Sequence, residues 1–102
     1  MIFIKVKGAN SILEKSIGLI GKSKPHPLFI TTRFGIHTFG VRFPIDVVIL
    51  NGENKVVTVK QGLKPCRFFF WNIKYDKVLE LPFGTIQSKK IKPGICIGIN
   101  KL

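Results

Sequence analysis

Apolar and polar residues alternate with a period of two over much of the chain, which is the pattern of β-strands with one buried face. In residues 1–8, for example, Ile2, Ile4 and Val6 alternate with larger or charged side chains. Residues 45–50 are nearly all apolar, which is typical of a strand covered on both faces. The pattern therefore predicts a mostly β chain.

Six further segments are rich in aromatic and β-branched residues and are bounded by Gly, Pro or Asn, as strands are. They are residues 28–30, 34–41, 55–60, 66–73, 77–81 and 91–99. The Asn-Gly-Glu-Asn sequence at residues 51–54 is typical of a hairpin connection. We therefore expect the strands on its two sides to be antiparallel neighbours.

A helical pattern is confined to two short segments. Residues 12–20 carry apolar residues on one helical face, with a capping box at Ser11 and Glu14 and a terminating Gly21. A helical turn is also predicted near residues 82–88. The expected fold is α+β and mostly β, with a strongly curved, barrel-like sheet of about six to seven short strands in one domain over 1–102.

Charge narrows the choice of partners. The net charge is +12, from 17 Lys and Arg against five Asp and Glu. This balance favours anionic partners such as nucleic acid, although scattered lysines are also what a merely solvated surface carries. No run approaches a signal peptide or a membrane span, and Cys66 and Cys96 lack metal-ligand spacing. We expect a cytoplasmic protein with two free, buried thiols and without metal or cofactor.

Polar residues within apolar strands mark a candidate ligand site, because such groups are costly to bury unless they are paired. Asp46 begins a buried face, so it needs either a cation, with Arg42 or Arg33 as the obvious choice, or several amide donors. Glu80 lies in a second apolar strand, directly before a turn whose amides could bind an anion. The full set of candidates is Arg33, His37, Thr38, Arg42, Asp46, Glu80 and Thr85.

A second candidate surface comes from the consecutive aromatic residues 68–71. Aromatic rings flanked by cations are suited to base stacking or to a protein interface, whereas a small β core also needs such rings. Both interpretations stay open. The residues proposed for a nucleic-acid or partner surface are Arg67, Phe69, Trp71 and Lys74.

Four segments, in this order and spacing, resemble the prokaryotic family of domain of unknown function 192. They are Gly-Leu-Ile-Gly-Lys at 18–22, Leu-Phe at 28–29, Gly-Ile-His-Thr-Phe-Gly-Val-Arg-Phe-Pro-Ile-Asp-Val at 35–47 and Val-Leu-Glu-Leu-Pro-Phe-Gly-Thr-Ile at 78–86. The resemblance implies a small α+β domain with a strongly bent sheet and no established activity. Its hallmark positions fall on Thr38, Pro44, Asp46, Glu80 and Gly84.

The chain departs from that family at two places. Many relatives carry Trp-Met near Phe39 and Gly-Asp where Gly94 and Ile95 stand here. The second difference removes an acidic group, which weakens any site that needs a third carboxylate.

Three functions follow as hypotheses. The first is a non-catalytic binding domain that takes a small or anionic ligand in a polar pocket around Arg42, Asp46 and Glu80. The second is weak, sequence-independent binding of nucleic acid through the basic surface. The third is a hydrolase that uses Asp46 and Glu80 as an acid and base pair, which requires the two carboxyl groups to converge.

Overall fold

The computed structural model describes residues 2–9, 27–33, 35–39 and 41–101, and these residues form eight strands and one short helix. The elements are β1 (Ile2–Ala9), β2 (Leu28–Thr31), β3 (Ile36–His37), β4 (Ile45–Leu50), β5 (Val56–Leu63), β6 (Phe68–Phe69), β7 (Lys77–Pro82), α1 (Thr85–Ser88) and β8 (Ile97–Lys101). The mostly β prediction is confirmed. The predicted helix at residues 12–20, with its capping box, lies outside the described residues.

Six strands form one sheet in the order β5-β4-β7-β2-β1-β8. The pairs from β5 to β2 are antiparallel, as the hairpin at residues 51–54 predicted for β4 and β5, whereas β1 is parallel to both β2 and β8. The edges approach each other at one isolated bridge between Lys55 and Cys96. The described strands do not close into a barrel, so the predicted barrel-like curvature is not confirmed.

Strands β3 and β6 form a separate two-stranded ribbon, in which Ile36 pairs with Phe69 and His37 with Phe68. Both strands are shorter than the segments 34–41 and 66–73 that the sequence predicted. The first segment turns at Thr38, whose carbonyl accepts the Val41 amide. The ribbon is therefore a second, two-stranded sheet that is separate from the six-stranded sheet.

The core lies on both faces of β4, all six residues of which are buried, as its continuous apolar run predicted. Val47 and Ile49 belong to a first apolar cluster, which also contains Leu28 of β2. Val48 and Leu50 belong to a second cluster on the opposite face. Any polar side chain of β4 must therefore find its partners inside the protein.

Two further predictions need correction at the end of the chain and at the cysteines. Residues 91–96 precede the last strand and include a turn closed by the bond from the Ile95 amide to the Lys92 carbonyl, so β8 begins only at Ile97. Cys66 and Cys96 are both free thiols, but neither is buried as predicted, because Cys66 is exposed and Cys96 is half-buried. Cys66 lies in the connection between β5 and β6, where its backbone has φ 61°.

Candidate functional site

Asp46 is completely buried, and its carboxylate is held by backbone amides. Oδ1 accepts the Gly62 amide at 2.9 Å, while Oδ2 accepts the amides of Gly84 at 3.0 Å and Ile86 at 2.9 Å. The interpretation with several amide donors is therefore the one that the structure shows. The alternative, an ion pair with Arg42 or Arg33, is wrong, because Arg33 pairs with Asp76 and Arg42 is exposed to solvent.

A β-bulge brings the first of these amides to Asp46. Between the pairs Val47 with Lys60 and Ile45 with Leu63, β4 contributes one residue while β5 contributes two. The extra residue lets Gly62 adopt φ 62°, a left-handed conformation that glycine takes at little cost. Gly84, in the turn after β7, also adopts a left-handed conformation, with φ 94°. The anion that the turn binds is thus the carboxylate of Asp46.

Thr38 is also completely buried and fixes the connection between β5 and β6. Its hydroxyl donates to the Lys64 carbonyl at 2.7 Å and accepts the Arg67 amide at 2.8 Å. Its backbone adds two bonds, because its N–H donates to the Arg67 carbonyl and its carbonyl accepts the Cys66 amide. The backbone of residues 64–67 is therefore held at both ends by one threonine.

Glu80 is 8% exposed and lies on the opposite face of the sheet from Asp46. Its direct partner in β4 is Val47, and its partner in β2 is Leu28, both members of the first apolar cluster. No N–H or O–H group among the described residues donates to its carboxyl. Desolvation by burial raises the pKa of Glu80 from 4.5 to about 7.

Asp46 and Glu80 therefore do not converge, although both the hydrolase and the shared polar pocket would require it. Asp46 pairs with Leu81, one residue along from Glu80, and successive residues of a strand point to opposite faces. The hydrolase hypothesis loses its geometric basis, because the two carboxyl groups are separated by the sheet.

The other candidates for the polar pocket are dispersed as well. Arg33 donates to the Ile73 carbonyl at 3.0 Å and forms an exposed ion pair with Asp76 at 3.5 Å. His37 and Arg42 are exposed, while the Thr85 hydroxyl donates to a carbonyl in its own turn. The structure thus does not bring the predicted ligand residues into one pocket.

The outer face of the β3–β6 ribbon carries a row of exposed rings, which we call the aromatic row: His37, Phe39, Phe68 and Phe70. Phe39 meets Phe68 edge to face at 5.0 Å between centroids. Phe68 and Phe70 are nearly parallel, with an interplanar angle of 13° and centroids 5.9 Å apart. The rings of His37 and Phe39 are 5.7 Å apart, which makes the row continuous.

The sequence assigned the wrong rings of this segment to the surface. Phe69 and Trp71 are half-buried against the first apolar cluster, and the Trp71 indole donates to a backbone carbonyl at 2.7 Å. Their neighbours Phe68 and Phe70 are 61% and 66% exposed. The flanking cations Arg67 and Lys74 are exposed, as the proposed surface required.

A depression of about 260 Å³, which we call the basic depression, adjoins the aromatic row. Its lining residues are Lys60, Gly62, Leu63, Lys64, Arg67 and Phe68. Three of them are cations and none is a carboxylate. Two of the buried polar residues hold its walls, because Asp46 accepts the Gly62 amide and Thr38 bonds the backbone of Lys64 and Arg67.

Few acidic groups offset this charge at the described surface. Asp46 and Glu80 are buried, Asp76 is paired with Arg33, and Glu53 lies in the turn between β4 and β5. The described residues contain no cluster of three or more His, Cys, Asp or Glu that could hold a metal ion. None of the described helices has the length and apolar character needed to cross a membrane.

Comparisons with known proteins give a family and a fold. The family model DUF192, described as uncharacterized ACR, matches residues 2–99. A crystal structure of a protein of unknown function from Novosphingobium aromaticivorans is similar with a TM-score of 0.78 at 16% identity, covering 87% of this chain and 70% of that one. A proposed transcription regulator from Sinorhizobium meliloti gives a TM-score of 0.75 at 17% identity, with 87% and 76% covered. No curated protein matches the chain.

Proposed function

The chain belongs to the DUF192 family, whose description assigns no activity, and from the chain's own surface we propose that it binds single-stranded nucleic acid without sequence preference. The observation that carries this proposal is the exposed stack of Phe68 and Phe70 beside a carboxylate-free cluster of cations.

The exposed rings supply faces for bases. Phe68 and Phe70 are more than half exposed and nearly parallel, and Phe39, which is 43% exposed, lies against Phe68. Every base has a π-face, so stacking on an aromatic side chain tolerates any sequence and contributes about 1–3 kcal/mol per base. Contiguous exposed apolar groups of this kind also mark interaction sites in general.

The cations supply contacts for phosphates. Lys60, Lys64 and Arg67 surround the basic depression, and Lys74 is exposed beyond the end of β6. Release of counterions from the nucleic-acid backbone makes such contacts favourable and strongly dependent on salt. A duplex would offer the phosphates but not the base faces, so the combination of rings and cations favours a single strand.

The polar-pocket hypothesis has weaker support. Both oxygens of Asp46 are already bonded, Glu80 lies on the other face, and Arg42 is exposed. A ligand at Asp46 would first have to displace three backbone amides, whereas the aromatic row is open to solvent.

The proposal is tested by fluorescence anisotropy with labelled oligothymidine and oligoadenosine strands of about twelve nucleotides, which cover the site size of small single-strand binding domains. We expect Phe68→Ala and Phe70→Ala each to weaken binding about tenfold, the equivalent of one lost stacking contact. The matched control is Phe3→Ala, because Phe3 is 62% exposed but lies on β1 over Gly98, and it should leave affinity unchanged.

Three outcomes would overturn the proposal. They are wild-type affinity in both ring variants, equal binding of single strand and duplex of the same sequence, and affinity that does not fall with added salt. Vesicles of anionic lipid serve as a second probe. If Phe68→Ala and Phe70→Ala weaken binding to vesicles but not to oligonucleotides, the surface binds membranes instead.

A further inference from the structure

We infer that the basic depression is a subsite for the terminal phosphate monoester of a nucleic-acid strand. The inference rests on the proposed function and deepens it, since it names the group that lies next to the base stacked on Phe68.

The cations of the depression come from two segments of the chain and line the same cavity. Lys60 projects from β5, while Lys64 and Arg67 belong to the connection that leads to β6. The guanidinium of arginine can contact phosphate oxygens in a bidentate manner, and lysine adds compact point charges. Gly62 forms part of the wall without a side chain, so backbone and cations share the lining.

The backbone that carries these cations is fixed from behind. Asp46 accepts the Gly62 amide, and the hydroxyl of Thr38 bonds both the Lys64 carbonyl and the Arg67 amide. A site whose backbone is already ordered loses less conformational entropy on binding. The buried carboxylate of Asp46 accepts hydrogen bonds from three N–H groups, so its negative charge is engaged inside the protein rather than exposed in the depression.

The position of Phe68 connects the depression to the aromatic row. Phe68 lines the depression and also stacks with Phe70, so a base on Phe68 places an adjacent phosphate among the cations. A phosphate monoester carries a charge of about −1.5 to −2 at pH 7, more than a bridging diester. Three surrounding cations therefore favour a strand end that bears a phosphate over one that bears a hydroxyl.

The test compares strands that differ only at one end. Oligothymidines labelled at the 3′ end are prepared with a 5′ phosphate or a 5′ hydroxyl, and strands labelled at the 5′ end with a 3′ phosphate or a 3′ hydroxyl. We expect one of the two phosphates to raise affinity about tenfold, as one charge-assisted contact would. The double variant Lys60→Met/Lys64→Met should lose this gain.

The control is Lys89→Met/Lys90→Met, which removes the same charge from two exposed lysines that follow α1 and do not line the depression. It should keep the gain although its overall affinity falls through weaker long-range attraction. Thermal unfolding of each variant establishes that the comparison is made between folded proteins.

The possible failures are distinguishable. Equal affinity for phosphate and hydroxyl ends, with binding that still depends on Phe68 and Phe70, would overturn the subsite and leave the proposed function standing. A gain that persists in Lys60→Met/Lys64→Met would also overturn the subsite, because the phosphate would then bind elsewhere. Loss of the dependence on Phe68 and Phe70 would overturn the proposed function itself.

Discussion

Asp46 and Glu80 lie on the neighbouring strands β4 and β7, yet their carboxyl groups point to opposite faces of the sheet, because the direct partner of Glu80 is Val47. Asp46 meets three backbone amides on its face, whereas Glu80 meets apolar side chains on the other. The two buried acids therefore have different roles. Asp46 joins separate segments of backbone, whereas Glu80 is a desolvated group whose protonation depends on pH near neutrality.

Removing the Asp46 carboxylate should destabilise the fold strongly. Asp46→Ala leaves the amides of Gly62, Gly84 and Ile86 without their acceptor, and each unsatisfied donor costs about 1–3 kcal/mol. We expect the free energy of unfolding to fall by about 3–5 kcal/mol in urea titrations followed by Trp71 fluorescence.

Asp46→Asn sharpens this prediction, because it preserves size but offers one oxygen to three donors. A loss of about 2 kcal/mol is expected, since the new NH2 group must face at least one backbone N–H. Asp76→Asn is the control, as it removes an acid from an exposed ion pair and should cost less than about 1 kcal/mol. Wild-type stability in Asp46→Asn would mean that the three bonds do not hold the bulge.

Thr38→Val tests whether the buried hydroxyl orders the basic depression. The substitution leaves the Lys64 carbonyl and the Arg67 amide without their partner, which should lower stability by about 1–3 kcal/mol. It should also reduce the preference for a phosphorylated end while the effect of Phe68→Ala persists, because Phe68 is also held by its pairing with His37 in the ribbon.

Thr58→Val provides the matched control for this prediction. Thr58 is half-buried on β5 and does not line the depression, so both stability, within about 0.5 kcal/mol, and end preference should stay at wild-type values. If Thr38→Val retains the full preference, the depression is ordered by other contacts.

The sequence was most informative where one pattern dominated. The apolar run of β4 predicted both its bounds and its burial on two faces, and an acid inside that run had to be paired. Segment 68–71 was ambiguous, because four consecutive aromatics contain no alternation that separates an exposed ring from a buried one.

Long-range register was the second gap. Whether Asp46 and Glu80 share a face depends on a shift of one residue between two strands that are distant in the chain, β4 and β7. No local pattern specifies that register. The role of Thr38 was hidden for the same reason, since its partners lie in residues 64–67.

Glu80 should make stability decrease as the pH rises through the range in which it titrates. Below the unfolded pKa of about 4.5, both states hold the proton, so burial of the group carries no charge penalty. Between that value and the folded pKa of about 7, the unfolded state releases the proton while the folded state retains it. The free energy of unfolding should therefore fall by about 3 kcal/mol over this interval and then level off, because above pH 7 the folded state carries the buried charge.

Glu80→Gln isolates this contribution, since the amide is similar in size and does not titrate. Urea unfolding of both proteins is measured from pH 4.5 to 8.5, and the difference between the two curves is taken so that contributions common to both proteins cancel. We expect the wild type to lose stability relative to the variant by about 3 kcal/mol between pH 4.5 and 7. A difference that does not change with pH would show that the carboxyl of Glu80 is hydrated or paired in the folded protein, because only a desolvated group would keep its proton to near neutrality.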